Sequence, residues 1–198
     1  MKLSDKWHGI PKPVKAFLLK ATVLFVVWKA VYLLLLLPGR VLDKPLTFLI
    51  GKGTAASLNV IRRPDEYSAV PTTQPNFPED DALVPVMAIR SGRQTVLSIA
   101  DRCNGLELLV LYAGLILCLP AARKRQGVYI LGGVLLIEIL NVIRCVGLAL
   151  IFLHRPQYLD FSHHYLFTFV VYAFIFGLWW LFSKDLEFAK KLQLNATT

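Results

Sequence analysis

Apolar residues along this chain fall into four long blocks separated by polar collars. The first, AFLLKATVLFVVWKAVYLLLLLP, occupies positions 16–38 and closes on Pro38. About 20 apolar residues carry a helix across a bilayer, so this block predicts a first membrane span. No small-residue cleavage site follows it, which predicts a retained anchor rather than a cleaved signal peptide. Blocks at 105–119, 128–153 and 165–182 predict three further spans. The polar stretch 39–102 separates the first two. Its middle, RRPDEYSAVPTTQPNFPEDD, is rich in proline and predicts irregular backbone. Its end, VPVMAIRSGRQTVLSIA, carries apolar residues around a Ser-Gly pair, the pattern of a small β-hairpin. The expected fold is an all-α membrane protein, a bundle of about four transmembrane helices with a small extracytoplasmic β-hairpin loop. Residues 1–38 would form a cytoplasmic N-terminus and the first helix, 39–102 an extracytoplasmic loop, 103–182 a core of three helices, and 183–198 a cytoplasmic tail.

Composition supports the membrane class. Hydrophobic residues make up 56% and charged residues 18%, against about 45–50% and about 25% in soluble domains. The net charge of +9 would suggest nucleic acid in a soluble protein. Here the basic residues gather at the ends of apolar runs, and no aromatic-basic surface stretch accompanies them, so they orient the chain in the membrane instead. The basic N-terminus, Arg123-Lys124-Arg125 and the lysines of the tail all fall on one side of a four-span chain, the cytoplasmic side by the positive-inside rule. Segments 39–104 and 154–164 then face outward. The three cysteines form no C-x-x-C pair, so neither zinc nor a disulfide framework is expected, and no cofactor is implied.

Polar groups inside a bilayer are costly and usually face a bundle interior. Cys103 opens the second span, with Glu107 one turn inward on the same helical face. The third span carries Glu138, Asn141 and Arg144, and the fourth opens with His163 and His164. By depth, Glu107 could hold Arg144, and Lys29 could pair with Glu138 as a structural ion pair. Asn141 could bond across helices. Cys118 and Cys145 read as packing residues. A cysteine, an arginine and a histidine therefore converge in the outer half of one bundle.

The ordered set CNGL, NVIR and a histidine at the head of the last span resembles the exosortase/archaeosortase family of multi-span membrane cysteine transpeptidases, over roughly residues 84–182. The family pattern is a Cys-Ser/Thr-Gly-type motif, then Asn-x-x-Arg, then the histidine. Asn104 stands where that pattern has a small hydroxyl residue. The resemblance implies that Cys103 is the nucleophile, Arg144 stabilises the oxyanion, and His164, or alternatively His163, is the general base and acid. Glu107 and Asn141 would support them. It also implies the partners: exported proteins with a C-terminal sorting signal of short motif, membrane helix and basic cluster, cut through a thioester and passed to a lipid or glycan acceptor. The site would face the extracytoplasmic side of the plasma membrane.

The chemistry is coherent in itself. A thiolate attacks, a neighbouring imidazole relays the proton, and a guanidinium in a low-dielectric site meets the developing oxyanion. The hairpin before Cys103 could present an extended substrate segment by strand addition. Two rivals remain: a catalytically silent membrane partner in envelope assembly, and a small transporter using Lys29, Glu138 and Arg144 as a charge path.

Overall fold

The computed structural model describes residues 12–62, 64–75 and 83–195, with side chains over 14–62, 64–75 and 83–184. The N-terminal Lys2 and Lys6 lie outside the described residues. The chain is mostly helical and carries one small sheet. Helix α1 spans Lys12–Val31 and continues through a π turn, Tyr32–Leu36. After a tight turn with Arg40 at φ 49°, α2 covers Asp43–Ile61. Strands β1 (Tyr67–Pro75), β2 (Leu83–Ser91) and β3 (Gln94–Ala100) form an antiparallel sheet in that order. A 3-10 turn, Asp101–Cys103, leads into α3 (Leu106–Cys118). Helix α4 runs Arg123–His154. Short turns over 156–166 lead into α5 (Phe167–Asn195), so the expected tail continues the last helix.

Among the described residues, three helices are long and apolar enough to cross a membrane: Val14–Leu36, Arg123–His154 and Pro156–Lys184. This is a helical membrane protein. Helix α3 coincides with the expected second span but has only 13 residues. At 1.5 Å per residue it is about 20 Å long, short of the roughly 30 Å hydrocarbon core. Pro120 explains its end, because the residue before a proline is pushed out of the helical region, and Leu119 is extended (ψ 141°).

The polar stretch 39–102 is not a loop with one hairpin. It contains the 19-residue α2 and three strands; positions 67–75 of the proline-rich part expected to be irregular form β1, and its positions 63 and 76–81 lie outside the described residues. The expected hairpin is β2–β3. Gly92 takes φ +57° at its two-residue turn, a value that glycine adopts at no steric cost.

Helices α1, α3, α4 and α5 alternate in direction, whereas α2 runs in the same sense as α4, Gly53 meeting Val142 and Arg62 meeting His154. Glu107 meets Lys29 and Gly114 meets Leu24, so α3 runs back along α1. Tyr112 lies on Gly133, so α4 runs back along α3. Phe167 lies on Gly147 and Phe182 on Tyr129, so α5 runs back along α4. The two glycine contacts are obligatory: a Cβ at Gly133 would overlap the Tyr112 ring, and one at Gly147 the Phe167 ring. Two apolar cores result. One joins α2, the sheet and the far half of α4 through Ile50, Leu58, Met87, Ile89 and Ala149. The other joins α3, α4 and α5 through Tyr112, Ile116, Ile137, Ile175 and Phe182. The turn bearing Cys103 sits where the two meet.

Candidate active site

A buried polar network fixes that turn. Asn104, 1% exposed, donates from Nδ2 to Asp43 Oδ1 at 2.9 Å, and its Oδ1 accepts the Leu106 amide at 2.9 Å. It thus caps α3 and ties it to the start of α2. Asp43, 2% exposed, also accepts the Tyr32 hydroxyl at 3.0 Å. Asp101 accepts two bonds from Arg40, at 2.6 and 2.8 Å, and a third from Thr47 Oγ1 at 2.8 Å. The paired carboxylate raises the Arg40 pKa above its ordinary value, against the opposing effect of burial. Gly105 has φ +82°, and a Cβ there would stand 2.9 Å from Asn141 Nδ2. Both constraints demand glycine, which accounts for the Gly of CNGL.

Arg144 reaches the turn from α4. Its Nη2 donates to the Cys103 carbonyl at 2.8 Å, and Asn141 Nδ2 lies 3.5 Å from the same oxygen. Arg144 therefore holds the backbone of the cysteine rather than a carboxylate. A guanidinium has five N–H donors, and Arg144 Nε is buried with no hydrogen-bond partner. Donors remain for an oxyanion formed beside Cys103. The cysteine itself is half-buried, and all three cysteines are free.

The charge pairs differ from those expected by depth. Glu107 pairs with Lys29 at 2.7 Å, not with Arg144. Glu138 is not joined to Lys29: both its carboxylate oxygens are buried without a hydrogen-bond partner. The middle of an apolar block is not the middle of the bilayer here. At 32 residues, α4 is about 48 Å long, and its far third is sheathed by α2 and the sheet, so its middle is a poor depth marker.

The histidines separate. His164 is exposed, with Nδ1 3.0 Å from Asp160 Oδ1 on its own helical turn. His163 is half-buried and lies within electrostatic reach of Arg144 and Arg102. The two rings stand edge-on, 5.0 Å apart. The position favoured by sequence is thus engaged by Asp160, and it is its neighbour that lies within electrostatic reach of the arginine. Thr168, one turn further along, donates to the His163 carbonyl at 3.4 Å.

Cys103, Asn104, Asn141, Arg144 and Thr168 line one end of a cleft of about 660 Å³ between α1, α3, α4 and α5. Its remaining wall is largely apolar, including Trp28, Leu111 and Val171. Neither histidine lines it. Among the described residues no group of three or more His, Cys, Asp or Glu side chains is arranged to hold a metal ion. Sequence reasoning missed Arg40, Asp43, Thr47 and Asp101. The available signal was an acidic residue immediately before RCNGL, which a buried turn must pair.

Comparison with family models, with curated proteins and with solved structures gives no match for this chain.

Proposed function

We propose that this protein is a membrane cysteine transpeptidase or peptidase of the exosortase kind, acting on C-terminal sorting signals of exported proteins. The observation that carries the reading is the meeting, at one end of the cleft, of Cys103 with an arginine bonded to its own carbonyl. In this reading four segments cross the plasma membrane, α3 being the short one. The Arg123 end is cytoplasmic and the Cys103 end faces out. Cys103 attacks the scissile carbonyl and forms a thioester. Arg144 stabilises the oxyanion, while Asn104, Asn141 and Gly105 set the turn. His163 takes the thiol proton and returns it to the leaving amine. Geometry favours His163 over His164, whose ring is engaged by Asp160. An amine of a lipid or glycan carrier, or water, resolves the thioester.

The test compares the C-termini of envelope proteins by mass spectrometry in cells bearing wild type, Cys103→Ala, His163→Ala or His164→Ala. Cys103→Ala is expected to leave a set of exported proteins with their C-terminal helix and basic tail. His163→Ala is expected to do the same, and His164→Ala much less. Identical profiles for wild type and Cys103→Ala would sink the reading.

One observation favours a catalytically silent partner in envelope assembly: neither histidine lines the cleft that holds the cysteine. That alternative expects Cys103→Ala to keep the phenotype of wild type.

A further inference from the structure

The sheet has two edges, and they are treated differently. At the β1 edge, Tyr67 exchanges two hydrogen bonds with the side chain of Asn59: its amide donates to Oδ1 at 2.8 Å, and its carbonyl accepts from Nδ2 at 2.9 Å. Tyr67 therefore turns its backbone polar groups away from β2. In an antiparallel ladder this alternates, so residues 69, 71, 73 and 75 of β1 also face outward. Two of them, Pro71 and Pro75, have no N–H to offer. The β1 edge is thus blocked by an asparagine and two prolines, devices that keep strand edges from pairing.

The same parity carries through β2. Tyr67 opposes Ser91, so Ser91, Ile89 and Met87 direct their ladder groups to β3, where they meet Gln94, Leu97 and Ile99. The register shift between Ile89 and Arg90 leaves Val96 as an extra residue on β3. Ser98 and Ala100 then face away from β2. Among the described residues no other backbone bond reaches them. Both are half-buried, and β3 contains no proline. Strand β3 rests on α4 through Val96 and Ile99, and its unpaired backbone edge leads directly into the turn that bears Cys103.

We propose that the outer edge of β3 docks an extended polypeptide, pairing with Ser98 and Ala100 and presenting its next peptide bonds to Cys103. The proposal rests on Cys103 being the nucleophile. The occupant is set by chemistry: alternating unpaired N–H and C=O groups match the backbone of a strand. An added strand lies about 4.8 Å from β3 and advances about 3.3 Å per residue. Two or three residues beyond the Ala100 partner, it reaches the level of Cys103. His163, within electrostatic reach of both Arg102 and Arg144, belongs to the same corner.

The test uses full-length Cys103→Ala protein in its own membranes, with a photo-crosslinking benzophenone amino acid in place of Ser98 or, on the same sheet face at the guarded edge, Ser68. Irradiation is expected to join uncut exported proteins to the Ser98 position about tenfold more than to the Ser68 position. Equal yields at the two positions, or adducts only with a second copy of this chain, would overturn the proposal. In the otherwise wild-type protein, Ser98→Pro removes one outward N–H without touching the β2–β3 ladder. It is expected to lower C-terminal processing about tenfold, while Ser98→Ala stays near wild type. Iodoacetamide labelling of Cys103 at its normal rate shows that Ser98→Pro is folded. If that rate falls, the crosslinking ratio decides. If Ser98→Pro is folded and processes normally while Cys103→Ala does not process, the edge assignment fails and the enzyme reading stands. If Cys103→Ala processes normally, the enzyme reading fails, and the Ser98 to Ser68 ratio still tests the docking edge.

Discussion

The two ends of α3 are held by different physics. At its start, the contacts that fix the chain are directed polar ones. Asn104 caps the helix and bonds to Asp43, Asp101 is gripped by Arg40 and Thr47, and Arg144 holds the Cys103 carbonyl. From its middle onward the contacts are shape. The Tyr112 ring lies on Gly133, Ile116 and Ile137 are sealed, and the polar contacts are few: Tyr112 donates to the Tyr129 carbonyl, and Gln126 covers the last carbonyls of Ile116 and Leu119. Apolar packing sets how closely two helices approach, but it tolerates small slides. A network of short hydrogen bonds fixes an atom in place. The arrangement suits a molecule in which one turn needs positional accuracy and the remainder needs cohesion.

Substitutions can separate the two regimes. The largest effect is expected from Gly133→Leu, which forces a side chain into the Tyr112 ring. Overpacking of this kind costs about 1–3 kcal/mol and sometimes more. Thermal unfolding in detergent should show it, and Tyr112→Ala in the same chain should restore part of the loss. Asp43→Ala comes next. It strips partners from Tyr32 and Asn104, and a buried bond to a charged group is worth about 1.5–3 kcal/mol. Its signature is a changed rate of iodoacetamide labelling at Cys103 even at temperatures where the protein stays folded. Gly133→Leu should leave that rate near wild type in the folded fraction. If instead Gly133→Leu alters labelling and Asp43→Ala does not, the division of labour is reversed. The smallest effect is expected from Lys29→Gln. Glutamine keeps a hydrogen-bond donor towards Glu107, so the change removes the charge of the pair and not its hydrogen bond. A loss comparable to that of Asp43→Ala would show that α1 is anchored chiefly through this contact.

Much of this was legible in the chain. The apolar runs mark α1, α4 and α5 because lipid demands long uninterrupted helices, and the Ser91-Gly92 pair marks the hairpin because glycine tolerates its turn. Helix α2 was hidden by its own packing devices. Gly51 and Gly53 lower helix propensity, by about 0.8–1.0 kcal/mol each relative to alanine, so GKGTAAS reads as loop. Yet a Cβ at Gly51 would overlap Met87, and one at Gly53 would crowd Val142 at 3.1 Å. The residues that conceal the helix are those that let the sheet and α4 approach it. Strand β1 was hidden in the same way by Pro71 and Pro75, which occupy positions where no N–H is needed. The residues Cys103, Arg144 and Asn141 could be picked out by pattern. Their partners could not, because hydrogen bonds spanning 61 residues, such as Asn104 to Asp43, leave no local trace.

The network around the Cys103 turn has a consequence for biosynthesis. Tyr32, Arg40, Asp43, Thr47, Asp101 and Asn104 all precede α4 in the chain, so the clamp can close while the rest is still on the ribosome. Synthesis proceeds at about 5–20 residues per second, so Arg144 follows some seconds later and the histidines later still. The turn that bears the cysteine can therefore be set before Arg144 has been synthesised.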